Sequence, residues 1–210
     1  MRENENRNTD KRVVTNFGKE WSDFNNESLS DSELFEMFQN YMSIFPWTSL
    51  PENPIGFDAG CGSGRWAKHV APKVGTLHCV DASSEAIGVA RGLLSKHDNV
   101  IFHSESVNEF CIEESSCDFG YSLGVLHHVP DTQSALDACV LKLKTGAPFL
   151  AYLYYDIGHS SLPTRLLFSV VSIVRKIVSK LPYKVKKVIT DLIALLVYFP
   201  VSRFARIVEF

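Results

Sequence analysis

The sequence predicts an α/β protein built on a doubly wound parallel sheet. Three observations carry this: short apolar runs alternate with helix-patterned stretches from Ile55 to Tyr155, a glycine-dense turn follows the first run, and the first and second runs end on Asp58 and Asp81. Strands alternating with helices imply a parallel sheet covered on both faces. The length of 210 residues allows one well-buried core with room for an appendage.

Composition narrows the function. The chain is 45% hydrophobic and 21% charged with a formal net charge of −3, so no overall basic excess argues for nucleic acid as a partner. The charge is nevertheless unevenly spread: residues 1–160 hold 12 Lys and Arg against 22 Asp and Glu, whereas residues 161–210 hold 9 against 2. That asymmetry marks the last fifty or so residues as a separate segment. The five cysteines form no C-x-x-C pair, so free thiols in a reducing cytoplasm are expected and no metal site is.

Taken in order, residues 1–14 are expected to be disordered, with neither a signal peptide nor an apolar anchor in "MRENENRNTDKR". Residues 15–50 read as a helical lead or cap. Phe17, Trp21 and Phe24 share one helical face and are read as packing residues. Ser30 and Glu33 form an S-x-x-E capping box before "ELFEMFQNYMSIF", a helix that Pro46 is expected to stop. Residues 51–158 form the core domain, with strands predicted at Ile55–Asp58, Thr76–Asp81, Val100–His103, Phe119–Leu123 and Pro148–Tyr155. Helices are predicted at about Arg65–Ala71, Ser84–Leu94 and Thr132–Leu143, and "CIEESS" as a loop or short turn.

Residues 159–210 read as amphipathic helices, one over 164–181 and a second after Pro182. Neither apolar run reaches the ~18 uncharged residues of a membrane span. Three readings stand for this segment: a substrate cap, a peripheral membrane contact through residues 164–206, or a surface packed on another subunit.

In an open α/β sheet the ligand sits at the carboxyl ends of the strands. Gly60, Gly62 and Gly64 in "FDAGCGSGR" would let a ligand approach bare backbone there, but their G-x-G-x-G spacing departs from the dinucleotide fingerprint, with Arg65 at the position of the third glycine. Asp58 suits a cationic ligand better than a phosphate.

These residues resemble the first motif of the class I S-adenosylmethionine-dependent methyltransferases of the small-molecule, type 11-like group, which have a Rossmann-like core. "HCVDAS" is similar to the segment that ends that family's second strand, and "DFGYSLGVLHHVPD" to the motif around its fourth; the resemblance spans roughly residues 50–156. It implies S-adenosyl-L-methionine as cofactor, held by Asp58, Gly60, Cys61, Gly62 and Gly64 of the loop, by Asp81 and Ala82, by Ser106 and Val107, and by Ser122 and Leu123. Asp81 would accept hydrogen bonds from both ribose hydroxyls. Cys61 reads as a small residue that fits, and Ser106 stands where many members carry an acid.

The implied activity is methyl transfer to a small molecule, lipid-like or quinone-like if the membrane reading of residues 164–206 holds. His127 and His128 would begin the helix beside the substrate, and either is a candidate general base for a hydroxyl or phenol acceptor. Tyr152 and Tyr154 share one face of the fifth strand, with Tyr155 on the other, suited to packing or to a hydrogen bond with substrate. The chain departs from the family in showing no sixth and seventh strand, which keeps a non-catalytic cofactor-binding protein as the alternative. A cytoplasmic location is expected, membrane-peripheral if the tail binds lipid; oligomeric state is open.

Overall fold

The computed structural model describes residues 8–23, 30–154, 162–179 and 181–208. The chain divides into two units, residues 1–154 and 155–210.

The first unit carries a five-stranded parallel sheet in the order β3-β2-β1-β4-β5, with β1 at Ile55–Ala59, β2 at Thr76–Val80, β3 at Val100–His103, β4 at Phe119–Leu123 and β5 at Phe149–Tyr152. The chain winds outward from β1 through β2 to β3, then returns to the other side of β1 for β4 and β5. The direction of winding therefore reverses between β1 and β4, and their carboxyl ends, Ala59 and Leu123, open onto the crevice where such sheets bind ligands.

Helices α1 (Lys11–Asp23) and α2 (Asp31–Tyr41) precede the sheet. Helix α1 begins at Lys11, earlier than the expected end of a disordered stretch at residue 14, because the Asp10 carboxylate accepts a hydrogen bond from the Arg12 N–H at 2.8 Å and starts the helix. Ser30 and Glu33 form the reciprocal capping box of α2. That helix ends at Tyr41, well before Pro46, yet Phe38, Met42 and Phe45 stay in register at spacings of four and three and are all buried in the core. Within the sheet domain come α3 (Ala67–Val70), α4 (Ser84–Leu93) and α5 (Thr132–Lys142). Helix α3 is shorter than predicted: Pro72 has no N–H to continue an α-helix, and the chain tightens into a 3₁₀ turn at Ala71–Lys73.

Each face of the sheet has its own core. Leu77, Cys79, Phe119 and Tyr121 pack against α2, α3 and α4, while Phe57, Ala59 and Val80 pack against Phe110, Leu126 and α5. The two central strands interlock. Gly56 is paired with Phe119 and Gly120 with Phe57, and a Cβ on either glycine would fall within the ring of its partner. Each phenylalanine thus fills the notch left by a missing side chain on the neighbouring strand.

Beyond β5 the described residues hold helices and no strand: α6 (Leu162–Ser179), α7 (Tyr183–Ile193), a π turn at Ala194–Tyr198 and α8 (Phe199–Val208). Pro200 lacks the N–H for an i−4 bond and crowds that carbonyl, which accounts for the widened turn just before it. No helix among the described residues is long and apolar enough to cross a membrane. Tyr155, on which one sequence expectation fell, lies outside the described residues, as does Phe24.

Because the Gly120 notch is already filled, Gly120→Ala should destabilise the fold by about 1–3 kcal/mol through overpacking. Urea denaturation followed by far-UV circular dichroism checks this, with Gly88→Ala as the control, since a Cβ at Gly88 meets nothing within 4 Å.

Candidate functional site

The loop leaving β1 is anchored on the end of β2. The N–H groups of Gly60 and Cys61 both donate to the Val80 carbonyl, at 2.8 and 2.9 Å, and the Gly62 N–H donates to Asp81 Oδ2 at 2.9 Å. Gly60 has φ of +85°, a conformation side chains rarely adopt, and a Cβ there would collide with Val125 of the loop after β4. Gly64, also at positive φ, serves packing instead: it lies against Ala90 and Leu94 at α4 and does not line the cavity.

Asp81 ends the anchor. Its Oδ1 accepts from the Ser83 N–H at 2.8 Å. Burial pushes its carboxyl above the ordinary carboxylate value, while the two N–H donors from Ser83 and Gly62 pull the other way. A carboxylate has about four lone-pair sites, so two remain for a ligand.

A cavity of about 550 Å³ opens over this loop. Of the residues singled out in the sequence it brings together Gly60, Cys61, Gly62, Asp81, Ala82, Ser106, Val107, Leu123 and His128. Four others stand apart from its wall. Gly64 is one. Ser122 is fully buried and its Oγ donates to the Ala59 carbonyl at 2.7 Å, tying the ends of β4 and β1 together. Asp58 is buried behind the loop beside Tyr121, and the Asp58 Oδ2 and the Tyr121 hydroxyl have no hydrogen-bond partner of good geometry. His127 is the fourth: both its ring nitrogens are buried without a partner.

The histidine pair occupies a 3₁₀ turn, Leu126–His128, and does not begin the helix as the sequence suggested. Pro130 forces Val129 into an extended conformation, with φ −82° and ψ 153°, so α5 starts only after Asp131 caps it. The two rings touch, with centroids 4.1 Å apart, but only one of them lines the cavity. His128 faces the cavity, while His127 stacks on Tyr154 at 4.1 Å between centroids, its pKa lowered by burial and then by His128.

Sequence reading missed much of the cavity's outer wall. Helix α1 supplies Val13, Val14 and Phe17, and α2 supplies Tyr41. Ring contacts run in a chain from Trp66 to Tyr41 (5.4 Å), Tyr152 (5.0 Å) and Tyr154 (6.0 Å), and on through the two histidines to Phe17. Phe17, expected to pack, therefore packs against His128 at the ligand cavity. The start of α1 is fastened by Asn8, whose side chain donates to the Asp131 carbonyl at 2.6 Å and accepts from the Asp131 N–H at 2.7 Å. A third hydrogen bond runs from Asn8 Nδ2 to Asn108 Oδ1 at 2.9 Å. In the middle of α1, Gly18 lies so close to Ser83 that a Cβ would collide. Contacts between elements distant in sequence leave little periodicity to find; the signals available were the helical spacing that singled out Phe17 and the alternation that grouped Tyr152 with Tyr154, although β5 itself ends at Tyr152.

The site has the chemistry for a sulfonium nucleoside: bare backbone at Gly60 to Gly62, a carboxylate with spare lone pairs, apolar walls at Val107 and Leu123, and an aromatic far side.

Comparison with known proteins gives the same direction. Residues 57–151 match the family described as methyltransferase domain. The chain is 30% identical over 112 residues to a ubiquinone biosynthesis O-methyltransferase of Aromatoleum aromaticum, covering 48% of each chain. It is 29% identical over 100 residues to phosphoethanolamine N-methyltransferase 2 of Caenorhabditis elegans, covering 46% of this chain and 23% of that one. The chain thus spans about half, or less, of the length of these curated relatives. Among solved structures, the YcgJ protein of Bacillus subtilis superposes with a TM-score of 0.51 at 22% identity, covering 60% of this chain and 52% of its own. A geranyl diphosphate C-methyltransferase of Streptomyces coelicolor, solved with S-adenosyl-L-homocysteine, does so with a TM-score of 0.53 at 13% identity, covering 60% and 46%. These two share the fold.

The buried Asp58 has a consequence for stability. Burial, with a smaller contribution from the Asp81 charge, raises its pKa from 3.8 to about 8 against the lowering effect of Tyr121. The folded chain then keeps a proton that the unfolded chain releases near pH 4, so stability falls as pH rises between about 4 and 8 and levels off above. The slope from this group is at most about 1.4 kcal/mol per pH unit. Denaturant melts at pH 5 and pH 8 should show the loss in the natural chain and a much smaller one in Asp58→Asn.

Proposed function

We propose, from the match of residues 57–151 to the methyltransferase domain family, that this chain transfers a methyl group from S-adenosyl-L-methionine to a small-molecule acceptor. The observation that carries the reading is a single cavity shared by the glycine loop, the Asp81 carboxylate and an aromatic wall ending in His128. A donor end and an acceptor end thus face one space.

When bound, the cofactor supplies an electrophilic methyl group on a sulfonium whose positive charge is lost on transfer. The chain's own residues bind and align. The loop at Gly60 to Gly62 and the neighbouring Leu123 and Gly124 would hold the amino-acid part, the free lone pairs of Asp81 the ribose hydroxyls, and Ala82, Ser106 and Val107 the adenine side. Val13, Val14 and Phe17 exclude water from the other side, which strengthens alignment and suppresses hydrolysis. Alignment alone can remove about 7–11 kcal/mol from a bimolecular barrier in favourable cases.

For a hydroxyl or phenol acceptor a base is needed, and the geometry favours His128 over His127, because only His128 faces the cavity. Its imidazole would take the acceptor's proton as the oxygen–carbon bond forms. The run of Tyr41, Tyr152 and Tyr154 suits a flat, apolar acceptor, which supports a quinone-like or lipid-like class. A second reading is a cofactor-binding protein without catalysis, whose described sheet ends at β5.

Two substitutions test the donor and acceptor ends of the site, and an acceptor panel separates the two readings. Asp81→Ala should weaken S-adenosyl-L-methionine binding more than tenfold in calorimetric titration, since hydrogen bonds to a charged group contribute about 1.5–3 kcal/mol; unchanged affinity would reject the ribose assignment. With a hydroxyl acceptor, His128→Gln should lower kcat on the order of a hundredfold, erase the acidic limb of the pH–rate profile and leave donor affinity intact. A folded chain that binds the donor but methylates no hydroxyl, amine or carbon acceptor in a broad panel would favour the non-catalytic reading.

A further inference from the structure

The helices after β5 carry an apolar surface of unusual exposure. On α6, Leu166, Val170, Ile173 and Ile177 recur at spacings of four, three and four, so they form one stripe, and each is 58–67% exposed. Leu162, Val171 and Val174 extend the apolar arc past half the circumference, leaving a narrow polar strip of Arg165, Ser169, Ser172 and Lys176. Farther on, Leu192, Leu195, Leu196, Val201 and the aromatics Tyr198, Phe199 and Phe204 are exposed as well. Isolated exposed apolar residues need no explanation, but a contiguous patch of this kind marks a surface that something covers.

Charge indicates what covers it. Residues 161–210 hold nine Lys and Arg against two acidic residues, and Arg165, Arg175, Lys176, Lys187 and Arg203 are all exposed beside the apolar positions. A second copy would bring two basic segments together, and like charges across an interface oppose association. An anionic surface that also accepts apolar side chains satisfies both features. The described helices are not long and apolar enough to cross a bilayer, so the fitting geometry is a helix lying in the interface, apolar face down, basic residues at the level of the head groups. Exposed Tyr and Phe suit the same depth.

We propose that α6–α8 form an in-plane docking surface for an anionic lipid bilayer. This inference concerns the second unit and stands independently of the methyl-transfer reading.

The test is flotation of the full chain with vesicles of phosphatidylcholine alone and with 30% phosphatidylglycerol, about a third of the head groups being charged. Binding is expected to the anionic vesicles and to weaken with salt. Each basic residue near such a surface contributes about fivefold in partitioning, so the triple variant Arg165→Gln, Arg175→Gln, Arg203→Gln should bind on the order of a hundredfold more weakly. Leu166→Ser with Ile173→Ser and Ile177→Ser should abolish flotation while the charge is unchanged. Titration with S-adenosyl-L-methionine on the same variants reports the fold and donor site of the first unit separately. A folded chain that fails to float overturns the proposal, and light scattering then tells the alternatives apart: a dimer assigns the apolar faces to a second copy, a monomer to neither. Equal binding to neutral and anionic vesicles would overturn the anionic selectivity.

Discussion

The site depends on one short anchorage. Three consecutive N–H groups of the loop after β1 are tied to the end of β2, two to the Val80 carbonyl and one to the Asp81 carboxylate. Parallel pairing of β1 and β2 in register sets the distance that makes this possible, since Ala59 and Val80 are partners. The loop therefore cannot drift relative to the carboxylate it shares the cavity with. Binding groups that a flexible loop would have to organise on each encounter are held in place by the sheet, which lowers the ordering cost of recognition.

The same economy leaves two conspicuous side chains off the cavity wall. Ser122 holds β4 to β1 at the switch in winding, and Asp58 sits behind the loop among Tyr121, Cys79 and Cys61, where burial favours its neutral form. Both are polar residues at strand ends near a crevice, the place where ligand contacts are sought first. In each case strand alternation turns the side chain into the sheet's packing, and the backbone beside it is what meets the cavity.

How far the sequence reveals the site follows from the range of the interactions. The glycine loop, Asp81 and the alternation of strands with helices depend on local spacing, and the capping box of α2 on four residues; all were readable. Residues 15–50 read as a lead or cap, but the Asn8 fastening to Asp131 and the places of Val13, Val14 and Tyr41 in the wall join segments far apart in the chain, and no short-range pattern encodes them. The histidine pair falls between: the residues were visible, but they sit in a 3₁₀ turn before Pro130 rather than at the start of a helix, and only His128 of the two lines the cavity. The helices after β5 were visible as amphipathic segments, while the extent of their exposure was not.

The reciprocal notches at Gly56 and Gly120 bind the histories of four positions together. A larger residue at Gly120 is excluded only while Phe57 is a phenylalanine, and shrinking Phe57 alone leaves a void where its ring lay. Either change by itself is unfavourable, and the two made together can offset each other, so their energies do not add. The same holds for Gly56 with Phe119. Substitution between the central strands is thus epistatic: these positions can change only as matched pairs, and an engineer who recodes one must recode its mate.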